Sequence, residues 1–376
     1  MLHEGFHDPR TTITAAAIVI VAFLPFVGAQ PPADERPAVA APLTEVEIVR
    51  RVEAATDRSL DYLEKKQIKE GPRPGRGRRP TTPSMPWPSW PSCHRAMYPA
   101  EGKYGDTVAE GSVKPGVLTL ARKFMLSTQA KDPARDGYLS LGGRMYDHGL
   151  ATLALVELYG MDPDPEVESG VRRAVTLILR SQGPQGGWNY EPTAQDGDLS
   201  VSVMQIVALR AASNAEIPVP EAAIKKAITY VRQKANPAGG GYGYNGPGPG
   251  TVQTSAAGVL SLQLLGAHTD QQIPRTLDWI VASTKPTWLS NGTSYFYYFH
   301  YYAMQAFYQH GGKHWNEWHG PVREMLLAQQ NKDGSWDVPA GSAEAAYASP
   351  TDKTYPTAFA TLVLNIYQHY LPAYQR

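Results

Sequence analysis

The chain has one cysteine, Cys93, in 376 residues, so it can close no internal disulfide and can hold no multi-cysteine zinc or iron–sulfur centre. It has no excess of either charge. The 35 Lys+Arg balance 35 Asp+Glu at a formal net charge of +0. No basic stripe accompanies the periodic segments, so the long-range attraction that drives nucleic-acid binding is missing. It also lacks an apolar run long enough to cross a bilayer comfortably. The nearest candidate runs from Ile13 to Val27, and a span needs about 20 residues. That run follows Arg10 and ends in Val27-Gly28-Ala29, a small-residue site that a signal peptidase could cut before Gln30. The pattern predicts a signal peptide over 1–29, with an uncleaved membrane anchor as the alternative. Either one places the body outside the cytoplasm: periplasmic, secreted or associated with the envelope, with a membrane surface within reach.

Apolar residues at 42% are enough for a large core. A Pro- and Ala-rich stretch over 30–44 reads as a disordered linker, and 45–376 as one domain. It opens with a helix over Glu45–Gln67, which sets Val49, Val52, Leu60 and Leu63 on one face. An insertion over 70–112 follows. Between Gly71 and Pro99 it carries eight prolines, Trp87, Trp90 and the arginines 73, 76, 78 and 79. It is expected to be a mobile surface segment that proteases cut first.

Five short segments, most of them Gly-rich, each carry an aromatic residue at nearly even spacing: Tyr138, Trp188, Tyr242, Trp288 and Trp336. A period of roughly 50 residues accommodates two helices and two turns, the unit of an architecture stacked from repeats. The helices ahead of the aromatics are predicted over Gly116–Gln129, Pro165–Gln182, Pro220–Lys234, Ile273–Ser283 and Trp315–Gln330. Those behind them are predicted over Met145–Tyr159, Leu199–Ala212, Gln253–Leu265, Tyr295–His310 and Tyr355–Tyr370. The second set is apolar on most faces and must be buried on most faces, whereas the first carries charge on one side. Two concentric layers satisfy both, so the expected fold is all-α, an α/α toroid of six hairpins. The helix at 45–67 belongs to the sixth, whose inner helix is degenerate or supplied by the insertion.

Gln182-Gly-Pro-Gln-Gly-Gly187-Trp188 and Gln330-Asn-Lys-Asp-Gly334-Ser-Trp336 each place a helix-ending Gln six residues before a Trp. This resembles the QW repeat of the squalene cyclase and prenyltransferase superfamily, and most closely the secreted prenyltransferase and squalene oxidase repeat proteins. The likeness covers about residues 113 to 370. It implies an α/α toroid but no single activity, with Gln182, Gly187, Trp188, Gln330, Gly334 and Trp336 as structural repeat residues; the leading expectation is an apolar ligand, isoprenoids among the candidates, in the central cavity. By the same resemblance, Asp198 would be the acid of a class II terpene cyclase and Asp196 its partner, although Leu199 stands where the motif has a third Asp. Read from the residues alone, Asp198 is the N-cap of the helix that starts at Leu199.

The run Tyr295-Phe-Tyr-Tyr298-Phe299-His300-Tyr-Tyr302 opens an inner helix, and with Tyr146 and His148 it forms the candidate ligand cavity. Its aromatic faces could cradle an isoprenoid or simply pack as core. His300 lacks the companion Cys that zinc-dependent prenyl transfer requires. His314, Glu317 and His319 do not share the spacing of a helical metal pair. No metal and no cofactor is expected. Arg144, Asp147 and His148 read as an acid–base group or as a satisfied hydrogen-bonded set. A toroid scaffold binding a protein or an envelope polymer is the alternative in the interaction class, its partner not identified by the sequence.

Overall fold

The computed structural model describes residues 44–69, 104, 106–109, 112–140, 144–248, 250–288, 295–346 and 351–366. The expected signal peptide, all but the last residue of the linker, and the Pro-rich segment with Cys93 lie outside them. The described chain is helical apart from one small hairpin. In chain order the elements are α1 (Glu45–Lys69), β1 (Thr107–Ala109), β2 (Ser112–Lys114), α2 (Val117–Thr128), α3 (Arg144–Met161), α4 (Pro165–Arg180), α5 (Leu199–Asn214), α6 (Glu221–Gln233), α7 (Val252–Leu264), α8 (Gln272–Ser283), α9 (Phe296–His310), α10 (Gly312–Gln329) and α11 (Thr354–Asn365).

The two predicted helix classes occupy the two layers. All residues of α7 are buried, as are all those of α11 except Tyr355. In α4, by contrast, only the stripe Val167, Gly170, Val171, Ala174, Val175, Leu177 and Ile178 is buried. Inner helices pack in succession, α3 on α5, α5 on α7, α7 on α9 and α9 on α11. Outer helices flank them. The chain therefore forms an α/α toroid.

Helix α1 completes the outer layer beside α11. Helix α1 packs on α10 and α11, where Asn365 donates to Thr56 Oγ1 at 3.1 Å and Thr361 to Ser59 Oγ at 2.8 Å. The inner position that should follow α1 falls in the stretch before α2. Its described part is the antiparallel hairpin β1–β2 and Tyr104, whose carbonyl accepts from Leu118 N–H.

One polar device joins neighbouring hairpins. The Gln182 amide donates to Gly186 O in its own loop and to Ala223 O in the next outer helix, both at 3.0 Å. Gln330 donates likewise to Gly334 O at 3.0 Å and to Ala55 O at 2.8 Å. Gln129 does the same with Gly137 O and Gly170 O. In the third repeat the position is Asn236, one methylene shorter. It reaches only its own loop, Gly240 O at 3.3 Å, and Thr276 of α8 reaches back to Gly241 N–H at 3.1 Å. The loop glycines are required by the same contact. Gly186 has φ +105, and a Cβ there would lie 2.2 Å from Lys226 O.

Trp188 and Trp336 fill the space behind these loops with no exposed surface. The backbone N–H of Trp188 donates to Ser202 Oγ, that of Tyr242 to Ser255 Oγ and that of Trp336 to Thr357 Oγ1, each acceptor lying on the fourth residue of the following inner helix. Trp288 differs. It is half-buried and packs edge-on against Phe296 and Tyr297. Helix α10 also starts at Gly312, a turn before the predicted Trp315, because Gly311 and Gly312 at φ 71 and 58 turn the chain directly out of α9.

Candidate functional site at the inner-helix N-termini

Each inner helix starts from an aromatic loop, so the N-termini of α3, α5, α7, α9 and α11 gather at one mouth of the ring. Side chains from four of these hairpins meet there. Asp198 caps α5, its Oδ1 accepting from Val201 N–H at 2.9 Å and from Ser200 Oγ at 2.6 Å. Tyr146 of α3 lies 2.5 Å from the same Ser200 hydroxyl. Tyr244, from the loop before α7, is hydrogen-bonded to Tyr190 and lies 3.5 Å from Ser200 Oγ. Tyr298 of α9 donates to Ser200 O at 3.4 Å, a contact that crosses the ring past α7. Its ring lies edge-on to Tyr302 at 4.6 Å.

Asp198 is 4% exposed beneath half-buried Tyr190 and Tyr298, while Tyr244 is 37% exposed. Burial pushes its carboxyl above the ordinary range against the pull of Ser200, Val201 N–H and Tyr244. Burial, followed by the Asp198 charge, raises Tyr190 to about 12 and also lifts Tyr146 and Tyr298. Arg144 sits at the rim with φ 61. Its guanidinium lies 5.8 Å over the Tyr190 ring and pairs with Glu191 at 3.3 Å.

A second buried carboxyl stands at the same mouth. Glu344 is 1% exposed and accepts from Tyr297 N–H at 2.9 Å, Tyr298 N–H at 3.0 Å, Ser342 Oγ at 3.1 Å and Tyr355 OH at 2.9 Å. It caps α9 from outside that helix, and burial raises its pKa. Helix α9 begins on Tyr295, which has no capping side chain of its own.

The sequence-derived candidates divide. Tyr146, Tyr298, Tyr302 and Asp198 belong to the mouth. Asp196 is exposed on the preceding loop, where its carbonyl accepts from Asn189. His148 faces the outer layer, with Nδ1 accepting from Leu139 N–H at 3.1 Å and Nε2 3.2 Å from Ala174 O. It ties the first repeat's loop to its inner helix as Ser202, Ser255 and Thr357 do in three others, but from the fifth residue of the helix and to the residue after the aromatic. Phe299 and His300 also turn outward, against Trp318 of α10. Tyr295 stands half-buried at the start of α9. Asp147 lies buried 3.3 Å from Ser140 Oγ, so Arg144, Asp147 and His148 do not converge. His314 pairs with Asp278, and His319 stacks on Trp315. Among the described residues no group of three His, Cys, Asp or Glu is placed to hold a metal, and no helix is long and apolar enough to cross a membrane.

Sequence reasoning missed Tyr190, Tyr244, Ser200, Glu344 and Tyr355. Two of these carry a signal. Tyr190 and Tyr244 each stand two residues after an anchoring aromatic in successive repeats, and their carbonyls accept from Met145 N–H and Leu199 N–H at the starts of α3 and α5.

No family model and no curated protein matches the chain. Among solved structures it is similar to a type II terpene cyclase, MstE, from Scytonema in complex with merosterolic acid A, at 12% identity and TM-score 0.49 over 85% of this chain and 98% of that one. It is similar to protein geranylgeranyltransferase-I of Candida albicans complexed with GGPP, at 13% identity and TM-score 0.45 over 69% of this chain and 80% of that one. It is also similar to an inactive variant of the α-1,6-mannanase GH76A of Salegentibacter sp. HEL1_6 in complex with α-1,6-mannotriose, at 11% identity and TM-score 0.44 over 59% and 75%.

Proposed function

We propose that this chain is an exported, cyclase-like toroid that binds an apolar chain of isoprenoid class at the tyrosine-lined mouth above Asp198. The observation that carries the reading is the convergence of Tyr146, Tyr190, Tyr244 and Tyr298 from four hairpins around one buried carboxyl. Their hydroxyls bond one another and Ser200, which leaves ring faces as the surface offered to a ligand. Export rests on the apolar run Ile13–Val27 and the cleavage site before Gln30. The mature chain should then begin at Gln30.

A second reading, that Asp198 is a general acid of a cyclising isomerase, is favoured by the upward shift of its carboxyl. Its capping of α5 and its bonds from Ser200 and Val201 favour a positioning role and binding without turnover. Mass spectrometry of the purified protein incubated with squalene and with farnesol tests both. Retention of one unchanged molecule supports binding. Cyclised product that disappears in Asp198→Asn supports the acid, and the proposed function fails if neither compound is retained or converted.

A further inference from the structure

We infer that the mouth selects a ligand bearing a hydroxyl group, because its hydroxyl network is polarised inward and presents lone pairs outward. This deepens the proposed function and rests on it. Ser200 has one proton, and its 2.6 Å contact with Asp198 Oδ1 takes it. The 2.5 Å contact between Tyr146 and Ser200 must therefore be donated by the tyrosine. The Tyr190–Tyr244 pair extends the network, one phenol donating to the other and the second giving its proton to the carboxyl. Asp198 Oδ1 accepts from both Ser200 Oγ and Val201 N–H, so the hydroxyl protons of the chain run toward it. The outermost atoms of the network, on half-buried Tyr190 and on Tyr244 at 37% exposure, are left with acceptor lone pairs.

Such a rim complements an O–H donor and offers nothing to an ether or a bare hydrocarbon. The partner class is thus an isoprenoid alcohol, its hydroxyl on the Tyr190–Tyr244 pair and its chain on the ring of half-buried Tyr298.

The test compares farnesol, farnesyl methyl ether and farnesene by calorimetric titration at pH 7.5, against the full chain and its Tyr244→Phe, Tyr190→Phe and Asp198→Asn variants. Farnesol should bind about threefold to tenfold more tightly than the methyl ether, the range of one hydrogen bond. That ratio should fall toward one in Tyr244→Phe with the ether affinity unchanged. Asp198→Asn, whose amide donates outward, should also lose it, with circular dichroism confirming the fold of each variant. Equal affinity for farnesol and its methyl ether in the wild type overturns the inference and leaves the proposed function intact. Failure of all three ligands to bind overturns the proposed function as well.

Discussion

The indole N–H of Trp336 donates to the carbonyl of Leu326 at 2.8 Å, and the same bond runs from Trp188 to Ile178 at 2.7 Å, each reaching ten residues back into the preceding outer helix. Each indole thus locks its outer helix to the loop that opens the next inner helix, and each is fully buried. Trp336→Ala should cost about 3–5 kcal/mol, as large aromatic truncations in a core do. Urea denaturation of the variant checks this, and an unchanged midpoint would remove the aromatic from its structural role.

Glu344 satisfies two backbone N–H groups at the start of α9 together with Ser342 and Tyr355. Glu344→Ala strands those buried donors, and each unsatisfied group costs about 1–3 kcal/mol. The loss should be local. Hydrogen exchange at the Tyr297 and Tyr298 amides should accelerate by at least tenfold while the α4 amides stay protected. Uniform acceleration across the chain would show that the cap holds the whole fold.

The cap at Asp198 predicts a smaller change. Asp198→Asn keeps an acceptor for Val201 N–H and should melt within a few degrees of wild type, whereas Asp198→Ala should lose up to about 2 kcal/mol, the upper end for a helix cap. Equal destabilisation by both variants would mean that the charge, and not the hydrogen bond, stabilises the start of α5.

Two buried histidines give the fold an acid dependence. His300 sits against Phe296 at 4.5 Å and Phe299 at 5.0 Å, and burial lowers its pKa to about 3. His148 is lowered to about 3 by the same cause. The unfolded chain binds protons at these positions below about pH 6.5 while the folded chain refuses them, so stability falls as pH drops from 6.5 toward 3. Between pH 7.5 and 5 each should cost about 2 kcal/mol. His300→Phe should remove one such share from the difference between urea midpoints at the two pH values. An unaltered difference would place the proton elsewhere.

The repeat was legible because its parts lie close in sequence. Gln182, Gly187 and Trp188 fall within one loop, and the apolar surround of α5 and α7 separates inner from outer helices without any knowledge of contacts. In the third copy Asn236 stands where the others have Gln, and Thr276 supplies the missing reach. The mouth was legible only in part. Asp198, Tyr146 and Tyr298 stand at helix starts, where a sequence pattern can find them. Glu344 lies 47 residues beyond Tyr297, the N–H that it caps, and Tyr190 meets Tyr244 across 54 residues. Those meetings are made by the curvature of the ring, which no local periodicity encodes. The cavity list also mixed two faces of α9, since Tyr298 and Tyr302 share a side one turn apart while Phe299 and His300 point to α10.

The central claim is that the tyrosine mouth receives an apolar chain, and titration of farnesol into wild type and Tyr298→Ala by calorimetry at two temperatures tests it most directly. Tyr298 offers its ring to the mouth and gives up a 3.4 Å bond to Ser200 O and an edge contact with Tyr302, so circular dichroism of the variant must match that of the wild type. The account predicts one saturable site in the wild type with a negative heat-capacity change from buried apolar surface, weakened at least tenfold in Tyr298→Ala. Saturable binding that survives unchanged in the variant, or no saturable binding by the wild type, would contradict it.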